Sequence, residues 1–489
     1  MSEPRRLDHQ VHALLRQARD LHRGDPKLAD ALDGHLARMT EPLRVAIAGK
    51  VKAGKSTLLN ALVGEQIAAT DSAECTRTVT WYRDATSPRI TLRSREGADR
   101  QLPIVREAGA LTIDLGGVSP DDVERLVVDW PSSNLKEATL IDTPGIGSVS
   151  TEVSARTNAF LLGRDEPTEA DAVIYLMRHV HLTDLRFLES FQDRSVARAT
   201  RMSSIAVLAR ADEIGAGRLD AMASAQLIAR RYAADERLRG LCQTVVPVAG
   251  LLAQTARTLR QDEFTALAAL AARTRGEMES RLLSADRFLG LELPSGSRTT
   301  AALLDRLGLF GVKLAITLVR QGFDTASGLA GELVRRSGLT DLRRVLGVQF
   351  GERGHLLKAR SGLMALDLLL RQESRSESLP LIREMERLIA GAHEFAELRL
   401  LDDLRSGGFR LPDDIADGAE RLLGGDGTDT GVRLGLAAGA SRDDQRRAAI
   451  AAITEWQRRA ENPASGRKVV AAARVIVRSC EGLLAEISR

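Results

Sequence analysis

Aromatic side chains are scarce: Phe, Trp and Tyr together make up 3% of the 489 residues. A chain with so few rings builds its interior from Leu and Ala, which favours helix packing. No KH or RRM signature and no basic surface interleaved with aromatics is present, so no nucleic-acid partner is expected. Cysteine is nearly absent. Cys75, Cys242 and Cys480 lie far apart and form no CxxC pair, which argues against a disulfide framework and a zinc site and makes a reducing cytoplasm the default. Neither sign of charge dominates, with 69 Lys and Arg against 66 Asp and Glu and no long block of either. No run reaches the roughly 18 uncharged apolar residues of a membrane span. The opening "MSEPRRLDHQ" is polar, without the apolar centre of a signal peptide.

What is present is enough for more than one core. At 489 residues and 44% hydrophobic content, two or three domains are expected. Val11, Leu14, Leu15, Ala18 and Leu21 recur at helical spacing until "GDP" at 24–26, and a second helix carrying Leu28, Leu32 and Leu36 ends near Pro42. The period then changes. Strands are expected at 44–48, 78–83, 89–93, 125–130, 138–142, 172–177, 204–209 and 244–249. Continuous apolar runs such as "AVIYL" suit a parallel sheet covered on both faces, giving an α/β head with a mixed, mostly parallel sheet. Beyond about residue 255 helical seams take over, among them Leu356, Ala359, Leu363, Leu366 and Leu370; Leu381, Met385, Leu388, Ala392 and Phe395; and Val469, Ala473, Ile476, Cys480, Leu483 and Ile487. An all-α bundle follows from them, with Ser441 as an N-cap and Asn462-Pro463 as a stop.

The eight residues "GKVKAGKS" at 49–56 sit between the strand "RVAIA" and the helix "TLLNALVG". Gly49-x4-Gly54-Lys55-Ser56 in that context is a P-loop. Glycines let the backbone wrap an oxyanion, so that the N–H groups of Lys52, Ala53, Gly54, Lys55, Ser56 and Thr57 point at phosphates. Lys55 would reach the β- and γ-phosphates, and the Ser56 hydroxyl would ligate Mg²⁺. "LIDTPGIG" at 140–147 supplies a second half: Asp142 to hold a Mg²⁺-bound water and the Gly145 N–H to approach the γ-phosphate. Between them "SAECTRTVTWYR" occupies the place of a first switch, where Thr76 is the candidate to close over the metal and the attacking water. For the base, "ARAD" at 209–212 offers Asp212 to the guanine N–H groups and the Arg210 stem to stack on the ring, although Ala209 replaces the usual Asn or Thr. Backbone N–H groups near Ala249 and Gly250 would close the pocket.

In this order, "GKVKAGKS", "ECTRTVTWYR", "DTPG", "ARADEIG" and "VVPVAG", flanked by helices, resemble bacterial dynamin-like GTPases. "ECTRTVTWYR" and "GLFGVKLA" at 308–315 look most like the actinobacterial, isoniazid-inducible type. The resemblance implies N-terminal helices at 1–42 joining a neck, a GTPase head at 43–352 and a C-terminal bundle at 353–489. It implies GTP as substrate with Mg²⁺, a dimer through the heads, and peripheral contact with the inner face of the plasma membrane. About 137 residues after 352 make one bundle, which leaves a longer dynamin-like paralogue as a second candidate partner. Two departures stand out. Val51 sits where dynamins carry a water-orienting Gln, and Ile146 follows Gly145 where small GTPases carry theirs, so the heads would need Thr76, backbone groups or a partner's residue to activate water. Lys52 replaces a Ser that in dynamins helps hold a monovalent cation, and its ammonium could take over that charge. An Era-like GTPase working on RNA and a nucleotide-gated scaffold with little hydrolysis are the competing readings.

Three smaller signals remain. His179 and His181 form an HxH pair without a third ligand, which reads as a loop rather than a metal site. The apolar stretch 303–322 reads as a core helix, with lipid insertion as the alternative. The glycine-rich 424–440 reads as a flexible loop and a second candidate membrane tip; Asp426 and Asp429 lack the spacing of a calcium loop.

Overall fold

A computed structural model describes residues 6–68, 78–107, 109–145, 169–192, 203–215, 217–291, 297–373, 376–406 and 411–488. Two helices, α1 (Leu7–Leu21) and α2 (Pro26–Thr40), precede the sheet; the Asp25 carboxylate accepts from the Leu28 N–H and Pro26 opens α2, which fixes its start. Eleven strands follow among the described residues, nine of them in one sheet: β1 (Leu43–Gly49), β2 (Thr80–Asp84), β3 (Arg89–Ser94), β4 (Asp99–Leu102), then, after a separate hairpin of β5 (Val105–Glu107) and β6 (Ala110–Thr112), β7 (Val123–Trp130), β8 (Ala138–Asp142), β9 (Ala172–Met177), β10 (Ser204–Ala209) and β11 (Val245–Val248). Their order in the sheet is β11-β10-β9-β1-β8-β2-β7-β3-β4. From β11 through β8 neighbours run parallel; β2 runs antiparallel to β8, and β3 and β4 complete an antiparallel edge.

Every residue of β9 and β10 is buried, as their unbroken apolar sequences require when helices cover both faces. Val45 and Ile47 of β1 face α3 (Lys55–Val63) through Leu58, Leu59 and Leu62. Ala46 and Ala48 face the other side, toward Tyr175, Leu185, Leu188, Ala225 and Ala229. A third core gathers the helices Gly250–Arg257, Gln261–Ala271, Ser297–Arg320 and Ala326–Arg336. The stretch 303–322 belongs there: Leu303, Leu307, Phe310, Val312, Leu314, Ile316 and Leu318 are all buried, and the helix kinks at Gly308, whose φ is 64°. Core burial, not a lipid-facing surface, accounts for its apolar face.

The fourth core joins both ends of the chain. Leu7, Val11, Leu14, Leu15 and Ala18 of α1 pack with Leu356, Ala359, Leu363, Leu366 and Leu370, and with Ile476, Cys480 and Leu483. The seam expected through Ala392 is broken, because one helix ends at Gly391 and the next begins at His393; Phe395 is nonetheless buried. Residues 424–436 are not a free loop. The Gly424 carbonyl accepts from Arg353, the Gly425 carbonyl from Gln349 and Arg405, and Thr428 donates to Glu352, so the glycines allow close docking rather than mobility. Among the described residues no helix is long and apolar enough to cross a membrane.

Candidate nucleotide site

The loop leaving β1 is shaped by what only glycine can do. Gly49 has φ 148°, and a Cβ there would stand 2.5 Å from the Leu176 carbonyl oxygen of β9. The Ala53 N–H closes the turn on the Lys50 carbonyl at 3.1 Å, Lys52 adopts a left-handed φ of 60°, and Gly54 at φ 97° leads into α3. The first turn of α3 thus opens toward the loop with its N–H groups free for an anion. Lys55 folds back over this loop, its Nζ 3.4 Å from the carbonyls of Gly49 and Lys50. Burial pushes its pKa down, opposed by the charge of Asp142.

Asp142, at the end of β8, is brought beside α3 by the parallel register that sets it against Ile47. The Ser56 hydroxyl donates to its Oδ2 at 2.7 Å, while its Oδ1 is buried with no hydrogen-bond partner among the described residues. Burial raises the carboxyl's pKa, with Lys55 and the Ser56 hydroxyl pulling the other way. A hydroxyl and a buried carboxylate oxygen still lacking a partner form a donor set that suits a hard cation such as Mg²⁺. Thr143 fastens the next turn, its hydroxyl donating to the Ile47 carbonyl at 2.9 Å. Gly145 then packs on the loop so closely that a Cβ would lie 2.8 Å from Val51 Cα and 2.9 Å from its nitrogen. Thr76 and Ile146 lie outside the described residues.

The 209–213 turn reaches the same loop from β10. Arg210, left-handed at φ 53°, donates from one guanidinium nitrogen to the Lys52 carbonyl at 3.1 Å and from another to Glu213 at 2.8 Å. That side chain clamps the loop. Asp212 has its pKa raised by burial and by the neighbouring Glu213. The Ala249 N–H is committed to the Ser337 carbonyl at 2.9 Å, which removes it as a donor to a base. Gly250 remains beside the site, where a Cβ would sit 3.7 Å from Thr57 Cγ2.

The dynamin family profile matches residues 45–205, which run from β1 through the P-loop, Asp142 and Gly145 to the start of β10. The isoniazid-induced protein IniC of Mycobacterium tuberculosis is 42% identical over 486 residues, covering 98% of each chain. The chain is a bacterial dynamin-like GTPase. A bacterial dynamin-like protein of Nostoc punctiforme is 28% identical over 162 residues, covering 30% of this chain and 22% of its own length. A solved oligomerised bacterial dynamin pair, described as a mechanism for long-range sensing and tethering of membranes, is 14% identical with a TM-score of 0.30, over 99% of this chain and 75% of that one.

One contact in this GTPase escaped sequence reasoning. Lys50, the second residue of the P-loop, points its ammonium at Asp184, 3.4 Å away at the start of the helix Leu182–Gln192. Asp184 is buried and also accepts from the Tyr175 hydroxyl at 2.7 Å and the His181 N–H at 3.0 Å. An acid three residues after His181 signals a reciprocal helix cap, but nothing local names Lys50 as its ion-pair partner. The HxH pair contributes that backbone cap; among the described residues no group of three or more His, Cys, Asp or Glu could hold a metal ion.

Proposed function

We propose that this dynamin-like GTPase hydrolyses GTP with Mg²⁺ held through Ser56 and Asp142, and passes the resulting change from a head at 43–352 to a bundle of residues 1–42 and 353–489 at a membrane surface. The observation that carries the nucleotide reading is the Ser56–Asp142 contact at 2.7 Å with Asp142 Oδ1 left over, set beneath a P-loop whose lysine folds toward it. The metal would screen phosphate charge. The chain's own groups do the rest: Lys55 and the loop N–H groups bind and orient the triphosphate, Gly145 registers the terminal phosphate, and Asp212 reads the base. Thr76 stays the candidate for orienting water, because Val51 offers no hydrogen bond.

A mechanical route supports coupling. Arg343 donates to the Leu62 carbonyl at 2.7 Å, at the end of α3 opposite the phosphates. The helix that carries it, Leu339–Leu346, continues through a π-helical turn at Gly347–Gly351 into Gly354–Glu373, which packs with α1 in the bundle. A shift of α3 therefore pulls on a helix joined directly to the neck. Head-to-head dimers, alone or with a longer paralogue, would supply what Val51 lacks.

Turnover of GTP and ATP measured against protein concentration, with anionic liposomes, with RNA, or with neither, tests the reading. Cooperative GTP turnover enhanced by liposomes is expected. RNA stimulation would move the chain to RNA work, and tight binding without turnover would make it a scaffold.

A further inference from the structure

A crevice between the edge of the head and the C-terminal bundle gathers charge that its surroundings leave uncompensated. It has a volume of about 510 Å³, with Arg230, Arg239 and Arg344 on one wall and Arg405, Glu420 and Asp426 on the other. The first three come from three separate elements, Ala221–Ala234, Glu236–Arg239 and Leu339–Leu346. Arg405 is already occupied, donating to Glu420 at 2.8 Å and to the Gly425 carbonyl at 3.2 Å, and this consumes the Glu420 charge. Arg230, Arg239 and Arg344 have no side-chain hydrogen bond or ion pair among the described residues. Three guanidiniums therefore face one carboxylate, Asp426.

Like charges brought together in a walled crevice repel one another, and the low-dielectric walls focus their field onto whatever enters. The layer behind strengthens it. Arg353 is buried there, donating to Gln349 at 2.9 Å and to the Gly424 carbonyl, and burial with Arg405 nearby lowers its pKa to about 10. Gln349, which also lines the crevice, lies in the π-helical turn that joins the head to the bundle. The position puts an electrostatic demand where head and bundle meet.

We propose that this crevice binds a phosphate-bearing anion, whose oxygens take the forks of Arg230, Arg239 and Arg344 on the head side. Planar guanidiniums converging from separate elements suit a tetrahedral oxyanion, each offering paired donors. No lining residue belongs to the P-loop, so this site is independent of the nucleotide. Two carriers share the chemistry: a soluble pyrophosphate group and the phosphodiester of a lipid headgroup.

Full-length protein held with excess GDP and magnesium is titrated with pyrophosphate by calorimetry, and separately sedimented with phosphatidylglycerol vesicles. The parent chain is expected to bind at least one probe and to melt at a higher temperature with pyrophosphate present if that is the probe bound. In the double variant Arg239→Ala, Arg344→Ala that binding should weaken by about tenfold or more, while GDP affinity stays at the parent value and reports an intact fold. Pyrophosphate bound alone assigns a soluble anion, and vesicles bound alone assign a headgroup. Three results overturn the proposal: neither probe binds, the double variant binds as tightly as the parent, or binding disappears in Lys55→Ala and survives in the double variant.

Discussion

Asp171 offers the sharpest test of how the N-terminal helices are fixed to the head. Its carboxylate, 1% exposed, accepts from Arg38 of α2 at 2.6 Å and from the Arg44 N–H of β1 at 2.9 Å, one residue before β9 begins. Arg360 of the helix Gly354–Glu373 lies close enough to feel the same charge; it is buried, makes no side-chain hydrogen bond among the described residues, and has its pKa lowered to about 10 by burial. One carboxylate therefore serves two buried guanidiniums, one from α2 and one from the helix Gly354–Glu373. Asp171→Asn breaks the buried Arg38 ion pair and removes the charge that opposes the burial of Arg360, and removing one partner of a buried pair costs about 3–5 kcal/mol. At roughly 2–4 °C per kcal/mol, the apparent melting temperature should fall by about 6–20 °C. Arg38→Met should cost less, because Asp171 then keeps the Arg44 N–H and the Arg360 charge, and the double variant should be milder than the sum of the two. Thermal melting by circular dichroism reads all three. An Asp171→Asn protein that melts with the parent, or an Arg38→Met protein that is the more damaged of the pair, would refute the shared-carboxylate argument.

His35 lies against the same cluster, its pKa lowered to about 4 by burial first and by Arg38 and Arg44 next, with Asp171 opposing. Since the unfolded chain takes up this proton near 6.5 and the folded one near 4, stability should fall as pH drops between these values, by up to about 3 kcal/mol, and His35→Gln should flatten the slope measured by urea denaturation. Gly145→Ala places a Cβ within 2.9 Å of the Val51 backbone, so the loop must move; GTP affinity measured by a fluorescent analogue should drop at least about tenfold, and an unchanged value would remove the packing argument. Lys52→Ser removes the ammonium proposed to stand in for a monovalent cation, so GTP turnover should fall in sodium and recover in potassium; a rate that ignores both the substitution and the salt sinks that role.

The parts legible in the sequence are those whose physics is local. A P-loop satisfies its own needs within eight residues: Gly49 and Gly54 take backbone angles that side chains resist, and α3 presents its N–H groups immediately afterwards. Strands β9 and β10 are equally plain because burial on both faces leaves no polar alternation to confuse them. By contrast β4, "DRQL", is an edge strand with only Leu102 buried, and β5 and β6 have three residues each, so neither carries a period long enough to read. The glycine-rich 424–440 misled for a different reason. Its composition permits flexibility, but whether the carbonyls of Gly424 and Gly425 are free depends on Gln349 and Arg353, more than seventy residues earlier. The same holds for the Ala249 N–H, which composition offers to a base and topology gives to Ser337.

Charge pairs are the least local of all. Asp171 looks like a solvated acid before a strand, and Lys50 like one more cation on a basic loop, until the parallel order β9-β1-β8 sets the ends of three strands side by side. A buried carboxylate is stable only if topology delivers its donors, and here it does so twice, at opposite ends of β9: Asp171 gathers Arg38 and the Arg44 N–H from the α2–β1 connection, and Asp184 gathers Lys50 from the P-loop. Strand β9 thus connects an ion pair at the head–neck junction to an ion pair at the nucleotide loop through a fully buried strand whose close packing leaves it little freedom to deform. The sequence states each charge, but only the sheet order makes them two ends of one rigid element.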